Sequence, residues 1–385
     1  MLRYQTAGES HGKALVALVT GFPAGVELSA ESINAELRRR QGGYGRGDRQ
    51  KLETDQVDIL SGVWQGTSIG SPIALMVPNH DYKIEKMEDL PRPRPGHGDL
   101  CGSIKYLGSV RGVLERASAR ETTVRVAAGA LAKQLLDPFD IRVLGYVVAL
   151  GPMAIPPKSP GTMRERRRLR DQSELYTLDS ERDEEAKKLI DEAKAQGDTL
   201  GGVIEVCVEG LPFGLGSHGQ WETKLDGRLA QAVMSVQAMK GVEIGLGFEA
   251  ARRFGSQVHD PIQYDLKLVD TPCLGFTRPT NNAGGLEAGM TNSQPIVLRA
   301  AMKPISTLKK PLESVNLDTK RSEEASYERS DVCAVPAASC VLENVVAFEI
   351  AAALIDKFGG DSLVEMQADW KLFHELARER LSLPT

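Results

Sequence analysis

At 385 residues the chain is longer than one simple core usually supports, so two domains or one large pseudo-symmetric domain are both open. Apolar residues make up 41% and charged residues 26%, ordinary for a globular protein, and a net charge of −5 argues against a general nucleic-acid binder, which is basic overall. Five cysteines, an odd number with no CxxC pair, read as buried thiols of a reduced cytoplasmic protein and give no cysteine–histidine spacing for zinc, so no metal is expected.

In chain order, the apolar run Ala14–Thr20 reads as a strand rather than a secretory leader, and no apolar stretch reads as a membrane span. Ser29 caps a helix that carries Ile33 and Leu37 on one face and stops at Gly42 and Gly43. A strand over 72–77 follows, then a helix opening at Ser118 with Glu121 in capping-box position and Val124, Ala128, Leu131 and Leu135 at helical spacing. After a strand over 141–150, the stretch 152–200 departs in composition. It is proline-rich, then highly charged and helical over 181–195, and its charges read as a solvated face. A strand over 203–208, a helix over 223–238 with Leu225, Leu229, Val233 and Val236 inward, a strand over 295–302 and a helix over 343–357 complete the pattern, leaving 360–385 as a tail.

Two segments share one form. The strand ending at Thr20 enters the turn Gly21-Phe22-Pro23-Ala24-Gly25, and the strand ending at Val208 enters Gly210-Leu211-Pro212-Phe213-Gly214; a helix follows each. This favours one α/β domain over 1–385 with an internal pseudo-repeat.

The chemistry-bearing blocks are basic. Arg38, Arg39, Arg40, Arg46 and Arg49 fall within twelve residues, separated by glycines that let the backbone approach a ligand. Guanidinium forks match phosphate and carboxylate oxygens, whereas 38–40 alone is also explained as cations at a helix C-terminus. An RNA-binding Arg-Gly segment is the rival, set against one copy and an acidic chain. His97 stands on a proline-rigid loop with Arg94 and Asp99, a proton donor or a surface histidine. Arg116, Ser118 and Arg120 border a helix N-terminus, which favours anions. His11 lies between glycines at 8–12, and Lys303, Ser306 and Thr307 offer donors suited to phosphate. Arg329 and Asp331 read as an ion pair or as site residues. Gly245-Leu246-Gly247 mimics a dinucleotide fingerprint, but the strand before it is too short and the helix after it lacks an apolar face.

GESHG at 8–12, RRRQGGYGRG at 38–47, ERASARET at 115–122, KGVEIG at 240–245, MKPIST at 302–307 and ERSDVCAVPA at 328–337, in this order, resemble the chorismate synthase family across about 1–359. The chain departs from the family pattern at Gly98, in a shortened stretch at 105–111, and at Ala288 and Ser293, where the family carries glycine. The resemblance implies a β–α–β sandwich of antiparallel sheets flanked by helices, assembled as a homotetramer. It implies a carbon–oxygen lyase of the shikimate pathway that eliminates phosphate 1,4 from 5-enolpyruvylshikimate 3-phosphate. Reduced FMN is required without net redox change, with NADPH a candidate source of reducing equivalents. His11, Arg40, Arg46, Arg49, Arg94 and Arg120 are then expected around the substrate. Arg116, Ala117, Ser118, Gln237, Ala238, Ala288, Lys303, Pro304, Ile305, Ser306, Thr307 and Arg329 are expected around the flavin, with His97 and Asp331 against its ring. His11, His97 and Asp331 form the expected catalytic set. A redox flavoprotein and a nucleic-acid binder are the other classes considered; neither nucleic acid nor membrane is expected as a partner.

Overall fold

The computed structural model describes residues 1–47, 54–157, 161–328 and 330–381. Alternating burial along β1 (Arg3–Ala7) and β2 (Ala14–Thr20) marks a sheet with one buried face. With β3 (Asp58–Ile59) and β4 (Ile73–Pro78) they form an antiparallel sheet in the order β1-β2-β4-β3. Helix α1 (Ala30–Gln41) lies between β2 and β3 in sequence; α2 (Asp99–Tyr106), α3 (Val110–Ala117) and α4 (Thr122–Leu136) follow β4.

The second half repeats this plan. Strands β5 (Arg142–Leu150), β6 (Met153–Ala154), β7 (Gly202–Glu209), β8 (Met239–Ile244) and β9 (Ile296–Met302) pair antiparallel in the order β8-β9-β7-β5-β6. Helices α5 (Met163–Gln172) and α6 (Asp183–Ala195) precede β7, α7 (Leu225–Met234) precedes β8, and α8 (Val335–Phe358) and α9 (Leu363–Leu381) follow β9. Setting β5, β7, α7, β8, β9 and α8 against β1, β2, α1, β3, β4 and α4 gives the same order in sequence and in the sheet. The turn glycines agree in detail. Gly21 and Gly210 have φ of 75° and 83°, and a Cβ there would lie 2.4 Å from Met1 O and 2.3 Å from Asp140 O, the carbonyls leading into β1 and the segment before β5.

Helix α4 packs on the first sheet, α8 on the second, and the two helices pack on each other, giving layers sheet–helix–helix–sheet. Alanines line this contact, and a Cβ on Gly129 would fall 2.2 Å from Asn344 O, so the helices approach as closely as glycine allows. Helix α8 is buried on all sides and reads as apolar all round, as a central helix must. It is long and apolar enough to cross a membrane, contrary to the sequence reading, but 94% of its most apolar window is buried inside the fold.

Several expected boundaries move. Helix α8 starts at Val335, with Pro336 in its first turn, because Glu343 is a buried mid-helix charge rather than a helix start. Ser118 caps a short 3₁₀ turn, Ala119–Glu121, by accepting from Arg120 N. The expected capping box does not close, since Glu121 instead accepts from Thr6 Oγ1 at 2.8 Å and Gln237 Nε2 at 3.2 Å. Helix α7 ends at Met234; Ala238, at φ 67°, turns the chain into β8. The stretch 360–385 is not a loose tail over its described part: α9 sets Trp370 against Phe139 at 5.2 Å and Phe358 at 5.1 Å between ring centroids. The segment after Gly247 is 3₁₀, so the dinucleotide fingerprint has no α-helix to present phosphate to.

Three departures from the family pattern, in the shortened stretch and at Ala288 and Ser293, fall at backbone positions of one kind. Leu107, Ala288 and Ser293 have φ of 50°, 51° and 66°, the left-handed region where glycine carries no penalty. Gly98 is different: at φ −77° a Cβ would meet only Ala117 Cβ, at 3.9 Å, so glycine is not required there.

Candidate active site

A cavity of about 420 Å³ opens where the two halves meet. Its walls come from the loop before β2, the end of α1, the loop before α2, the α3–α4 junction, the entry to β8, the exit of β9 and the start of α8. His11, Arg40, Arg46, Arg94, His97, Ala117, Ser118, Arg120, Gln237, Ala238, Lys303, Pro304, Ile305, Ser306, Thr307 and Asp331 all line it. Arg49 and Arg329 lie outside the described residues. Two members of the expected flavin set are not in its lining. Arg116 turns its guanidinium to Gly8 O at 3.1 Å and Thr6 O at 3.0 Å, and Ala288 is exposed in the turn between Leu286–Glu287 and Met290–Asn292.

Helix geometry separates the three consecutive arginines, because successive residues point about 100° apart. Arg38 is exposed and pairs with Glu31. Arg39 enters the core beside Glu36 and Glu343. Arg40 reaches the cavity wall, donating from Nε to Thr122 Oγ1 at 3.0 Å and from Nη2 to Ala119 O at 3.0 Å. Arg120 beside it donates from Nη1 to both Asp55 oxygens, at 2.6 and 2.8 Å, and from Nε to Asn79 Oδ1 at 2.9 Å. Burial pushes the Arg40 guanidinium down to about 10; Asp55 opposes this, while Arg120 and Arg46 add to it by repulsion. Crowded, buried like charges of this kind call for an anion.

Arg94 and His97 share one carboxylate. Asp99 accepts from Arg94 N at 3.0 Å, Nε at 2.8 Å and Nη2 at 3.0 Å, and lies 2.5 Å from His97 Nδ1. Burial alone would raise the Asp99 carboxyl, but His97 and Arg94 together hold it well below the usual carboxylate range. A carboxylate so close to Nδ1 keeps a proton there, while Arg94 Nη2 stands beside the ring, 3.0 Å from Nδ1 and 3.3 Å from Nε2. Arg94 also donates from Nη1 to Thr307 Oγ1 at 2.9 Å, tying this loop to the exit of β9.

His11 is buried, its Nδ1 3.0 Å from both oxygens of Glu115. Asp331 accepts from Arg46 Nη1 at 2.5 Å and Gly47 N at 2.7 Å, so the arginine it pairs with among the described residues is Arg46, across 285 positions of sequence. Lys303 donates to Gly96 O in the loop that carries Arg94 and His97, and burial with Lys240 nearby lowers its ammonium. Gln237 gives its NH₂ to Glu121, while its Oε1 is buried with no partner among the described residues. An unmatched buried acceptor, a lysine, two hydroxyls and a helix start on one side suit a flavin phosphate and ring edge. Glu115, Asp99 and Asp55 were given no role from sequence. Only Asp99, two residues from His97, left a local signal.

The family model described as chorismate synthase matches residues 2–355. The chorismate synthase of Geotalea daltonii is 57% identical over 385 residues, covering 96% of this chain and 98% of that protein. That of Geobacter sulfurreducens is 54% identical over 393 residues, covering 98% and 100%. A solved structure titled as the crystal structure of chorismate synthase superposes with a TM-score of 0.81 at 44% identity, covering 98% of each chain. The chain belongs to the chorismate synthase family.

Proposed function

We propose that the 420 Å³ cavity is where this chain performs the family's reaction, the 1,4-elimination of phosphate from 5-enolpyruvylshikimate 3-phosphate to give chorismate. The observation that carries this reading is the set of arginines around one cavity, Arg40, Arg94 and Arg120 buried and Arg46 partly so, with burial, and repulsion from Arg120 and Arg46, depressing Arg40. A substrate with one phosphate and two carboxylates is the anion such a set requires. Arg49, at the end of the same glycine-spaced run, is assigned to the same task.

Lys303, Ser306 and Thr307, with the helix start at Ser118 and the Gln237 acceptor, hold reduced FMN. The flavin, when bound, supplies electron density that eases loss of phosphate from an allylic carbon. His11 gives a proton from Nε2 to the departing phosphate. His97, its Nδ1 held by Asp99, donates from Nε2 once the neighbouring Arg94 Nη2, 3.3 Å from that nitrogen, turns to the bound anion. Asp331 takes up a proton late in turnover. Each of its oxygens accepts one bond, from Arg46 and from Gly47, and keeps a lone pair that can take the proton. Cytoplasmic placement, a homotetramer, one domain over 1–385 and NADPH as a candidate source of reducing equivalents complete the proposal.

Alanine at each histidine tests it through anaerobic phosphate release. His11→Ala and His97→Ala are expected to lose about 10²–10⁴-fold, the usual worth of a positioned acid or base. His80, His218, His259 and His374 are expected to matter little. A larger loss at His218 than at His11 refutes the assignment.

A further inference from the structure

Glu115 sits in the last turn of α3, its side chain 1% exposed. It faces a histidine 104 residues away and fastens that loop three times. Its Oε2 accepts from His11 N at 2.8 Å, its oxygens lie 3.0 Å from His11 Nδ1, and its backbone O accepts from Ser10 N at 2.9 Å. Arg111, one turn earlier, stands behind it with Nη1 3.6 Å from Oε1, and is itself held by Glu328 at 2.9 Å and Glu88 O at 3.0 Å. On the other side of the ring, Nε2 lies 3.7 Å from Asp81 Oδ2, beyond hydrogen-bond reach, and Lys83 pairs with that aspartate at 2.9 Å. Burial alone would raise the Glu115 carboxyl; the bonds to His11 and the charge of Arg111 hold it below its ordinary value.

We infer that Glu115 is the positioning residue of the proton donor: its carboxylate keeps a proton on His11 Nδ1, so that Nε2 is the nitrogen that gives its proton to the departing phosphate. This rests on the reading of His11 as that donor. The donor starts as imidazolium, with a proton on each nitrogen. Transfer breaks the Nε2–H bond and forms an O–H bond on phosphate. His11 is left neutral with Nδ1–H still directed at Glu115, which keeps its charge throughout. The arrangement follows the logic of a carboxylate that orients a catalytic histidine without being protonated itself.

Glu115→Gln isolates this role. The His11 backbone N–H can only donate, so the amide oxygen takes that contact and the NH₂ is placed 3.0 Å from Nδ1, where it competes with the amide oxygen and favours Nδ1 as an acceptor. The imidazolium form loses the carboxylate charge that favours it while the shape is kept. Solid-state ¹⁵N spectra of the full chain labelled in histidine, with the His11→Ala spectrum subtracted, are expected to show protonated Nδ1 in the native protein and unprotonated Nδ1 in Glu115→Gln. Anaerobic phosphate release with reduced FMN is expected to lose at least about tenfold in kcat, with KM for 5-enolpyruvylshikimate 3-phosphate nearly unchanged. An unprotonated Nδ1 in the native protein overturns the proposal, whether or not the variant folds. So does a Glu115→Gln protein with normal kcat, or one that loses kcat with Nδ1 still protonated, which would mark a structural role. If His11→Ala keeps its turnover, the donor reading fails instead, and the spectra still report what Glu115 does to the ring.

Discussion

Arg40→Ala and Arg46→Ala are each expected to lower kcat/KM for phosphate release by roughly 30- to several-thousand-fold, the equivalent of about 2–5 kcal/mol for stripping one partner from a buried charge contact. The two should fail differently. Arg40 is fixed by Thr122 and Ala119 and stands beside the Asp55–Arg120 pair, so its loss removes a preset anion contact and should raise KM most. Arg46 holds Asp331, so its loss frees a carboxylate inside the cavity and should lower kcat as well. Steady-state kinetics with a thermal melt separate these effects from unfolding. Near-normal kcat/KM in both variants would mean that these guanidiniums do not meet the substrate.

Glu343→Gln is expected to cost about 3–5 kcal/mol of stability, the usual loss when one member of a buried ionic group is removed. Glu343 is fully buried in the middle of α8 and accepts from Gly145 N at 2.8 Å. It pairs with Arg39 at 2.9 Å, Arg170 at 2.7 Å and Lys133, so three cations from three helices converge on one carboxylate. Burial alone would raise the Glu343 carboxyl, but Arg39, Lys133 and Arg170 hold it at about 2, below the ordinary 4.5. With the folded value depressed, its contribution is complete above about 4.5 and is lost as pH falls toward 2. Denaturant melts across that range should show native stability falling on acidification, with a shallower slope in Glu343→Gln. Equal slopes, or a loss below about 1 kcal/mol, would show that the cluster contributes little net stability.

Both cases mark what the sequence made legible. Local chemistry was readable: Ser29 accepts from Ser32 N as a cap, Gly42 ends α1, and Gly21 and Gly210 close matching turns. The pseudo-repeat could be glimpsed because both copies carry a proline-containing turn between glycines, although sheet order is not a sequence property. Glu343 misled because an acidic residue before an apolar run looks like a helix start, and nothing local shows three cations arriving from α1, α4 and α5. The same limit hid Glu115, whose partner is 104 residues away, and the pairing of Asp331 with Arg46 across 285 positions. Most residues expected around the substrate and flavin do gather at the cavity because motif blocks are local, while their joining is topological. Arg116 shows the remaining difficulty: one residue from Ala117, it points across the α3 end to Thr6 and Gly8.

Anaerobic mixing of the purified chain with reduced FMN and 5-enolpyruvylshikimate 3-phosphate, following phosphate and flavin absorbance together, addresses the proposed reaction most directly. Phosphate and chorismate are expected in equal amounts, with the flavin reduced at the end as at the start, and no turnover with oxidised FMN. Phosphate release that proceeds equally well with oxidised flavin, or that consumes one reduced flavin per product, would contradict it.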